Sequence, residues 1–330
     1  MTARVLLLTL GGTIASVPSD AGSGGGAVPS LTGADLVAAV PELSQVADLD
    51  VRSLLQKPSC DLTPDDLRQV AATIAQAAEP SQGPEFDGAT CDGVVVVQGT
   101  DTIEESAYLL DLLADRPIAV VVTGAMRTPS SPGADGPANL LSAVRVAADP
   151  AARGLGVLVV LADEIHAAAH VAKSHSSAPH AFTSPGVGPI GRVVEGRVRI
   201  WAYPVRSDPP IPVPADAVWP SVPILRVAQG TAAAEVEALA TIADGLVVEG
   251  VGGGHVPSPL VPMLAAIAAT KPVVLASRTG AGGTLEATYG YPGSELDLLG
   301  RALISAGPRN ALQARLWLAA HLAAGADLPS

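Results

Sequence analysis

Aromatic side chains are scarce in this chain: 3% of 330 residues, as two phenylalanines, four tyrosines and three tryptophans. The core must therefore be assembled from Ala, Val, Leu and Ile, and hydrophobic residues at 48% supply enough of them. Small aliphatic side chains in that quantity suit alternating β and α layers. Cysteine occurs only at Cys60 and Cys91. That pair has no knuckle spacing and excludes a disulfide framework. Cations are outnumbered, 19 Lys and Arg against 32 Asp and Glu, for a net charge of −13. Such a balance argues against nucleic acid or an anionic membrane as partner. The leading apolar run, Val5–Leu10, stops at Gly11-Gly12. It is too short for a signal peptide, and a spanning helix needs ~20 apolar residues. A cytoplasmic protein is expected.

What the chain has is alternation. Apolar β-branched runs recur at Val5–Leu10, Val51–Leu55, Val94–Val97, Ile118–Val122, Val157–Leu161, Ile224–Val227, Leu246–Val248 and Val273–Ala276. Helical patterns lie between them at Thr63–Ala78, Thr102–Ala114, Ala138–Ala148 and Pro259–Ala269. Strand alternating with helix predicts a parallel, doubly wound sheet. Six prolines between Val205 and Pro223 forbid continuous pairing or helix there. The expected organisation is a first domain over 1–205, a linker over 206–222 and a second domain over 223–330. Val193–Tyr203, with Glu195-Gly196 at its centre, reads as a hairpin. Glycine-rich Ser19–Ser30 reads either as a surface loop or as a lid near Thr13.

Two threonine segments end apolar strands: Thr9-Leu10-Gly11-Gly12-Thr13-Ile14-Ala15 and Gln98-Gly99-Thr100-Asp101-Thr102. Ligands of open parallel sheets bind at the carboxyl ends of strands, so hydroxyls offered from two such ends can converge. Threonine is a weak nucleophile unless a base and an anion-stabilising environment accompany it. Asp101 accompanies the second segment, and Thr123-Gly124-Ala125-Met126-Arg127 ends a third strand. Hydroxyl-based acyl transfer is the expected chemistry. Gly11-Gly12-Thr13 completes neither Gly-Lys-Ser/Thr nor Gly-x-Gly-x-x-Gly, which disfavours a nucleotide site. Ala134-Asp135-Gly136-Pro137-Ala138-Asn139 reads as a turn into a helix that ties loops together. His166 and His170 fall at i and i+4, so a metal-dependent amidohydrolase using them with Asp163 is the rival enzyme reading. No second ligand pair accompanies them, and metal is not expected.

Taken together these segments resemble the bacterial L-asparaginase family, the asparaginase/glutaminase type with a threonine nucleophile. Ala134-Asp135-Gly136-Pro137-x-Asn139-Leu140, Ala172-Lys173, Gly250-Val251-Gly252-Gly253-Gly254-His255 and Ser277-Arg278 extend the likeness over nearly the whole length. The resemblance implies two α/β domains, the larger N-terminal one with a doubly wound, mostly parallel sheet and the smaller C-terminal one with a parallel sheet. It implies a homotetramer built as a dimer of dimers, no cofactor, and hydrolysis of L-asparagine; the short Cys60 adds the expectation of little glutaminase activity. By position, Thr13 is similar to the nucleophile, and Thr100, Asp101 and Lys173 to the rigid side of the pocket. Ser59, Cys60 and Ala125 match substrate-binding positions. Ser16, Ser19 and Ser30 fall on the implied lid, and His255 and Glu286 match positions supplied by a second subunit.

The chain departs from the family pattern in places. The lid carries no tyrosine; the four tyrosines are 108, 203, 289 and 291. Tyr289 and Tyr291 are the candidates to replace it. Cys60 stands where glutamine is common, and Gly253 and His255 where asparagines are common. Glu286 and Glu295 are both candidates for the acid of the neighbouring subunit. A degenerate, non-catalytic amino-acid-binding protein is the rival reading outside the enzymes.

Overall fold

The computed structural model describes residues 2–18, 27–29, 31–79, 90–113, 117–204 and 209–328, in two compact units, Met1–Pro210 and Ile211–Ser330. In the first unit, strands β1 (Ala3–Thr9), β4 (Ala47–Ser53), β5 (Gly93–Val97), β6 (Ala119–Thr123) and β7 (Val157–Leu161) are parallel. β8 (Glu164–Ala167), β11 (Gly191–Val194) and β12 (Arg197–Ile200) run antiparallel at one edge. The spatial order is β12-β11-β8-β7-β6-β5-β1-β4. From β1 the chain steps outward to β4, then returns to place β5 on the other side of β1. The order therefore reverses between β1 and β5, the topological switch point at which such sheets form their crevice. Thr13 and Thr100 follow those two strands.

Alternation along each strand divides the core. Val5, Leu7, Val95, Val97 and Val121 face one layer, with α1 (Gly33–Ala38), α2 (Leu43–Val46) and α5 (Gly136–Ala148). Leu6, Leu8, Val94, Val96, Val120 and Val122 face the other, with α3 (Pro64–Ala78) and α4 (Ile103–Leu113). Both layers are almost wholly aliphatic, as a chain poor in aromatics requires. α3 begins where Asp61–Asp66 places it: Thr63 and Asp66 form a reciprocal capping box ahead of Pro64.

Three details differ from expectation or sharpen it. β4 covers Ala47–Ser53 rather than Val51–Leu55. It is an edge strand, where Asp48 and Asp50 are tolerated. Leu54 and Leu55 have already left the ladder to donate to the Thr9 carbonyl, at 3.0 and 3.2 Å. The expected hairpin is β11–β12, turning through Glu195 at φ 51° and Gly196 at φ 72°. Both values suit a two-residue turn matched to the twist of the strands. The segment read as a lid has paired stems, β2 (Ser16–Pro18) antiparallel to β3 (Ala27–Pro29); Ser19 and Ser30 lie outside the described residues.

The second unit has a smaller, all-parallel sheet, ordered β13 (Ile224–Arg226), β14 (Leu246–Gly250), β15 (Val273–Ser277) and β16 (Ile304–Ser305). Helices α6 (Ala233–Ile242), α7 (Val261–Ala268), α8 (Glu295–Leu299) and α9 (Ala311–Ala324) accompany it. α9 closes on Gly325 in the left-handed conformation. Among the described residues no helix is long and apolar enough to cross a membrane.

Candidate active site

Two glycines bring the strand ends together. Gly12 has φ 92° and ψ −174°, a region that only glycine occupies readily. A Cβ there would lie 2.1 Å from the Gly99 nitrogen, so the two loops touch backbone to backbone. A Cβ on Gly99 would lie 2.8 Å from Ser59 Oγ. The loops after β1 and β5 and the Ser59 turn are thus locked against each other. Gly12→Ala is expected to destabilise the fold by roughly 2–4 kcal/mol, combining backbone strain and overpacking. An unchanged thermal denaturation midpoint would refute this account of the junction.

The chemistry gathers at the end of β5. Thr100–Thr102 forms a single 3-10 turn that runs directly into α4. Lys173, on the short strand β9 (Ala172–Lys173), donates from Nζ to Thr100 Oγ1 at 2.9 Å and to Asp101 Oδ1 at 2.6 Å. The lysine side chain is 12% exposed and the Asp101 side chain 71%, so the ammonium bridges a buried hydroxyl to a carboxylate open to solvent. β9 is held by pairing with β10 (Phe182–Thr183). A second anchor is Glu104, which accepts the Lys173 backbone N–H. Burial pushes the Glu104 carboxyl up, and the Lys173 amide pulls against that rise. Glu104 lies in the first turn of α4 and so ties the lysine strand to that helix.

Ser59 is buried, and its Oγ accepts the Asp101 amide at 3.2 Å while its carbonyl accepts Thr102 Oγ1 at 2.9 Å. Cys60 beside it is exposed, with Sγ 3.8 Å from the Asp61 carboxylate. Thr13 opens a 3-10 turn, Thr13–Ala15, and is partly exposed. Among the described residues its hydroxyl has no hydrogen-bond partner. Ser16, placed on the lid by sequence, is instead a buried stem residue whose Oγ donates to the Gly12 carbonyl at 2.8 Å. Ala125 is fully buried in the core. A small, mainly apolar cleft is lined by Ile14, Leu36, Val40 and Leu140, with Arg127 beside them. Apart from Arg127 its lining is apolar and holds no carboxylate for a substrate ammonium, so the polar cluster is the better site.

The turn before α5 ties loops together. Asp135 accepts the Met126 and Arg127 amides at 3.0 and 2.8 Å. Asn139 donates to the Gly124 carbonyl and accepts the Ala162 amide, both at 3.0 Å. The i, i+4 histidine pair has no helix beneath it: His166 sits on β8 and His170 in the turn that follows. His166 is buried, 2.9 Å from Ser184 Oγ and 3.3 Å from Glu164, and burial lowers its pKa. Asp163 accepts from Ser142 Oγ at 2.8 Å. Among the described residues no three His, Cys, Asp or Glu side chains gather around a common point. The geometry on which the metal reading rested is absent.

In the second unit Glu295 is fully buried, bonded to His255 and to the backbone. Glu286 is exposed.

A mostly parallel sheet with hydroxyls, a lysine and a carboxylate at its switch point is an arrangement that can support hydrolysis by hydroxyl chemistry. The comparisons narrow this. A family model described as asparaginase, N-terminal, matches residues 4–206, and one described as glutaminase/asparaginase C-terminal domain matches 221–330. The chain belongs to the asparaginase family. It is 38% identical over 329 residues to a probable L-asparaginase of Deinococcus radiodurans, covering 98% of this chain and 94% of that protein. It is 35% identical over 267 residues to the glutaminase-asparaginase of Pseudomonas fluorescens, covering 79% and 71%. Among solved structures, a probable cytoplasmic L-asparaginase from Campylobacter jejuni matches with a TM-score of 0.84 at 29% identity, covering 97% of this chain and 95% of that one.

Proposed function

We propose that the chain is an L-asparaginase, converting L-asparagine and water to L-aspartate and ammonia through an acyl-enzyme on Thr13. The observation that carries this reading is the Lys173 ammonium joined to both Thr100 and Asp101 at the switch point of an asparaginase-family fold. Thr13 Oγ attacks the side-chain amide carbon; the C–N bond breaks and ammonia leaves with a proton. Water activated at Thr100 then cleaves the ester and restores the Thr13 hydroxyl. Lys173 lowers the cost of negative charge on Thr100 Oγ1. Asp101, exposed enough to meet a ligand, holds the substrate ammonium, and the Ser59 turn receives the α-carboxylate. The Thr100 amide, at the start of a helical segment, faces the developing oxyanion.

Ammonia release assayed against L-asparagine, L-glutamine and D-asparagine tests the reading. Asparagine binding seen by calorimetry without ammonia release would replace it with the binding-protein alternative. Activity lost on exhaustive chelation would instead favour a metal enzyme. Cys60 is shorter than the glutamine common at its position and gives up one hydrogen bond to the substrate, worth ~1 kcal/mol. Weak asparagine affinity follows. One extra methylene costs ~1–3 kcal/mol in a fitted pocket, roughly 10–200-fold. The expected kcat/KM for asparagine is therefore at least about tenfold that for glutamine. Equal efficiency on both amides would place the chain with glutaminase-asparaginases. The homotetramer and the cytoplasmic location belong to the same proposal, tested by sedimentation and cell fractionation. The break near 206–222 serves as the linker between domains.

A further inference from the structure

The second unit carries a constellation that these roles leave unused. Glu295 is fully buried, yet its Oε1 accepts two backbone amides, from Thr288 at 2.8 Å and Tyr289 at 2.5 Å. Its Oε2 lies 3.0 Å from His255 Nε2. Burial pushes this carboxyl up, but the amides of Tyr289, Glu295 and Thr288 and the His255 ring outweigh it and hold it below the usual carboxylate range. An ionised carboxylate only accepts, so His255 Nε2 carries the hydrogen, and in the neutral imidazole Nδ1 is then the acceptor. At Nδ1, 2.8 Å away, stands the hydroxyl of Tyr291. The phenol therefore donates to the imidazole, and the imidazole donates to a buried carboxylate. T-shaped ring contacts of His255 with Tyr289 and Tyr291, with centroids 5.2 and 5.5 Å apart, fix the imidazole plane. Tyr291 is 48% exposed, so the far end of the chain of bonds meets solvent.

We propose that Glu295, His255 and Tyr291 form a proton relay that activates the Tyr291 phenol as an acid–base group, which, given the hydrolase reading above, serves the amide reaction. The wiring follows that of a hydroxyl activated by an imidazole and oriented by a carboxylate. When the phenol proton moves to His255 Nδ1, the imidazolium that forms is compensated by Glu295, and the phenol oxygen can take a proton from a reacting hydroxyl or water. The hydroxyl of Tyr289 has no hydrogen bond among the described residues.

Tyr289, at 45% exposure, is an internal control for Tyr291. An aryl sulfonyl fluoride reports phenol activation directly: the phenol oxygen–sulfur bond forms, fluoride leaves, and the phenol proton passes to His255. Peptide mapping of the whole chain is expected to show Tyr291 modified at least tenfold faster than Tyr289, with the difference abolished in His255→Phe. Equal rates overturn the relay, whether or not the chain hydrolyses asparagine. In turnover, Tyr291→Phe is expected to lower kcat at least tenfold with KM within twofold, and to reduce the solvent deuterium isotope effect. Full kcat in Tyr291→Phe overturns the catalytic use even if labelling is fast. A wild-type chain that releases no ammonia sinks the hydrolase reading alone, and the labelling ratio still decides the relay. Because Glu295→Gln alters a fully buried group, the exposed Tyr291→Phe is the deciding variant.

Discussion

Thr13→Ala and Thr100→Val are each expected to lower kcat by at least ~10³-fold, because each removes a hydroxyl on which acyl transfer depends. The losses should not add. Groups that act as one unit fail together, so the double variant should be scarcely slower than either single one. Neither substitution endangers the fold. Thr13 is partly exposed and bonded to no described side chain, and Val retains the shape of Thr100 at the loss of one bond to Lys173. Thermal denaturation should therefore stay close to wild type while ammonia release disappears. Near-normal turnover in folded Thr13→Ala would remove threonine from the mechanism. Additive losses would mean that the two hydroxyls serve separate steps.

Much of this site was legible in the sequence because strand ends are legible. Runs such as Val94–Val97 are too short and too apolar to be surface structure, and the polar residues that follow them must lie where the sheet opens. The switch point was not legible. The return of the chain from β4 across β1 to β5 is a matter of spatial order, which periodicity does not carry. Edge strands also escaped. β4 includes Asp48 and Asp50 because one side of it is unpaired, and an apolar-run criterion misses such a strand. An acid in the first turn of α4 needs no partner beyond the helix start, so the contact of Glu104 with the Lys173 backbone, 69 residues away, leaves no mark in the sequence. The His166–His170 spacing carried the opposite error. An i, i+4 interval means a shared face only on a helix, and here the backbone is a strand and a turn. His255, Glu295 and Tyr291 had no spacing to betray them. His255 and Glu295 are 40 residues apart, and only the packing of the α8 start beneath the Gly254–His255 turn makes them partners.

Lys173→Met should separate catalysis from stability most sharply. Methionine keeps the length and apolar stem of the lysine and removes only the ammonium. The pair with Asp101 adds little to the fold, since a carboxylate 71% exposed is well solvated without its partner, and such ion pairs contribute ~0–1 kcal/mol. Thr100 Oγ1 can turn to water. A shift of the denaturation midpoint by no more than a few degrees is expected. The rate has no such cushion. The ammonium is 12% exposed and held 2.9 Å from the hydroxyl, where it stabilises charge that exists only as Thr100 gives up its proton. Removing one preorganised donor of this kind costs ~10²–10³ in kcat. KM should change much less, because the substrate touches Asp101 rather than Lys173. Asp101→Asn should show the reverse split, raising KM more than it lowers kcat, with the amide unable to neutralise the substrate ammonium. A Lys173→Met enzyme with normal kcat would show that the lysine only anchors Asp101, and equal changes in both constants for the two variants would mean that they act as one binding group.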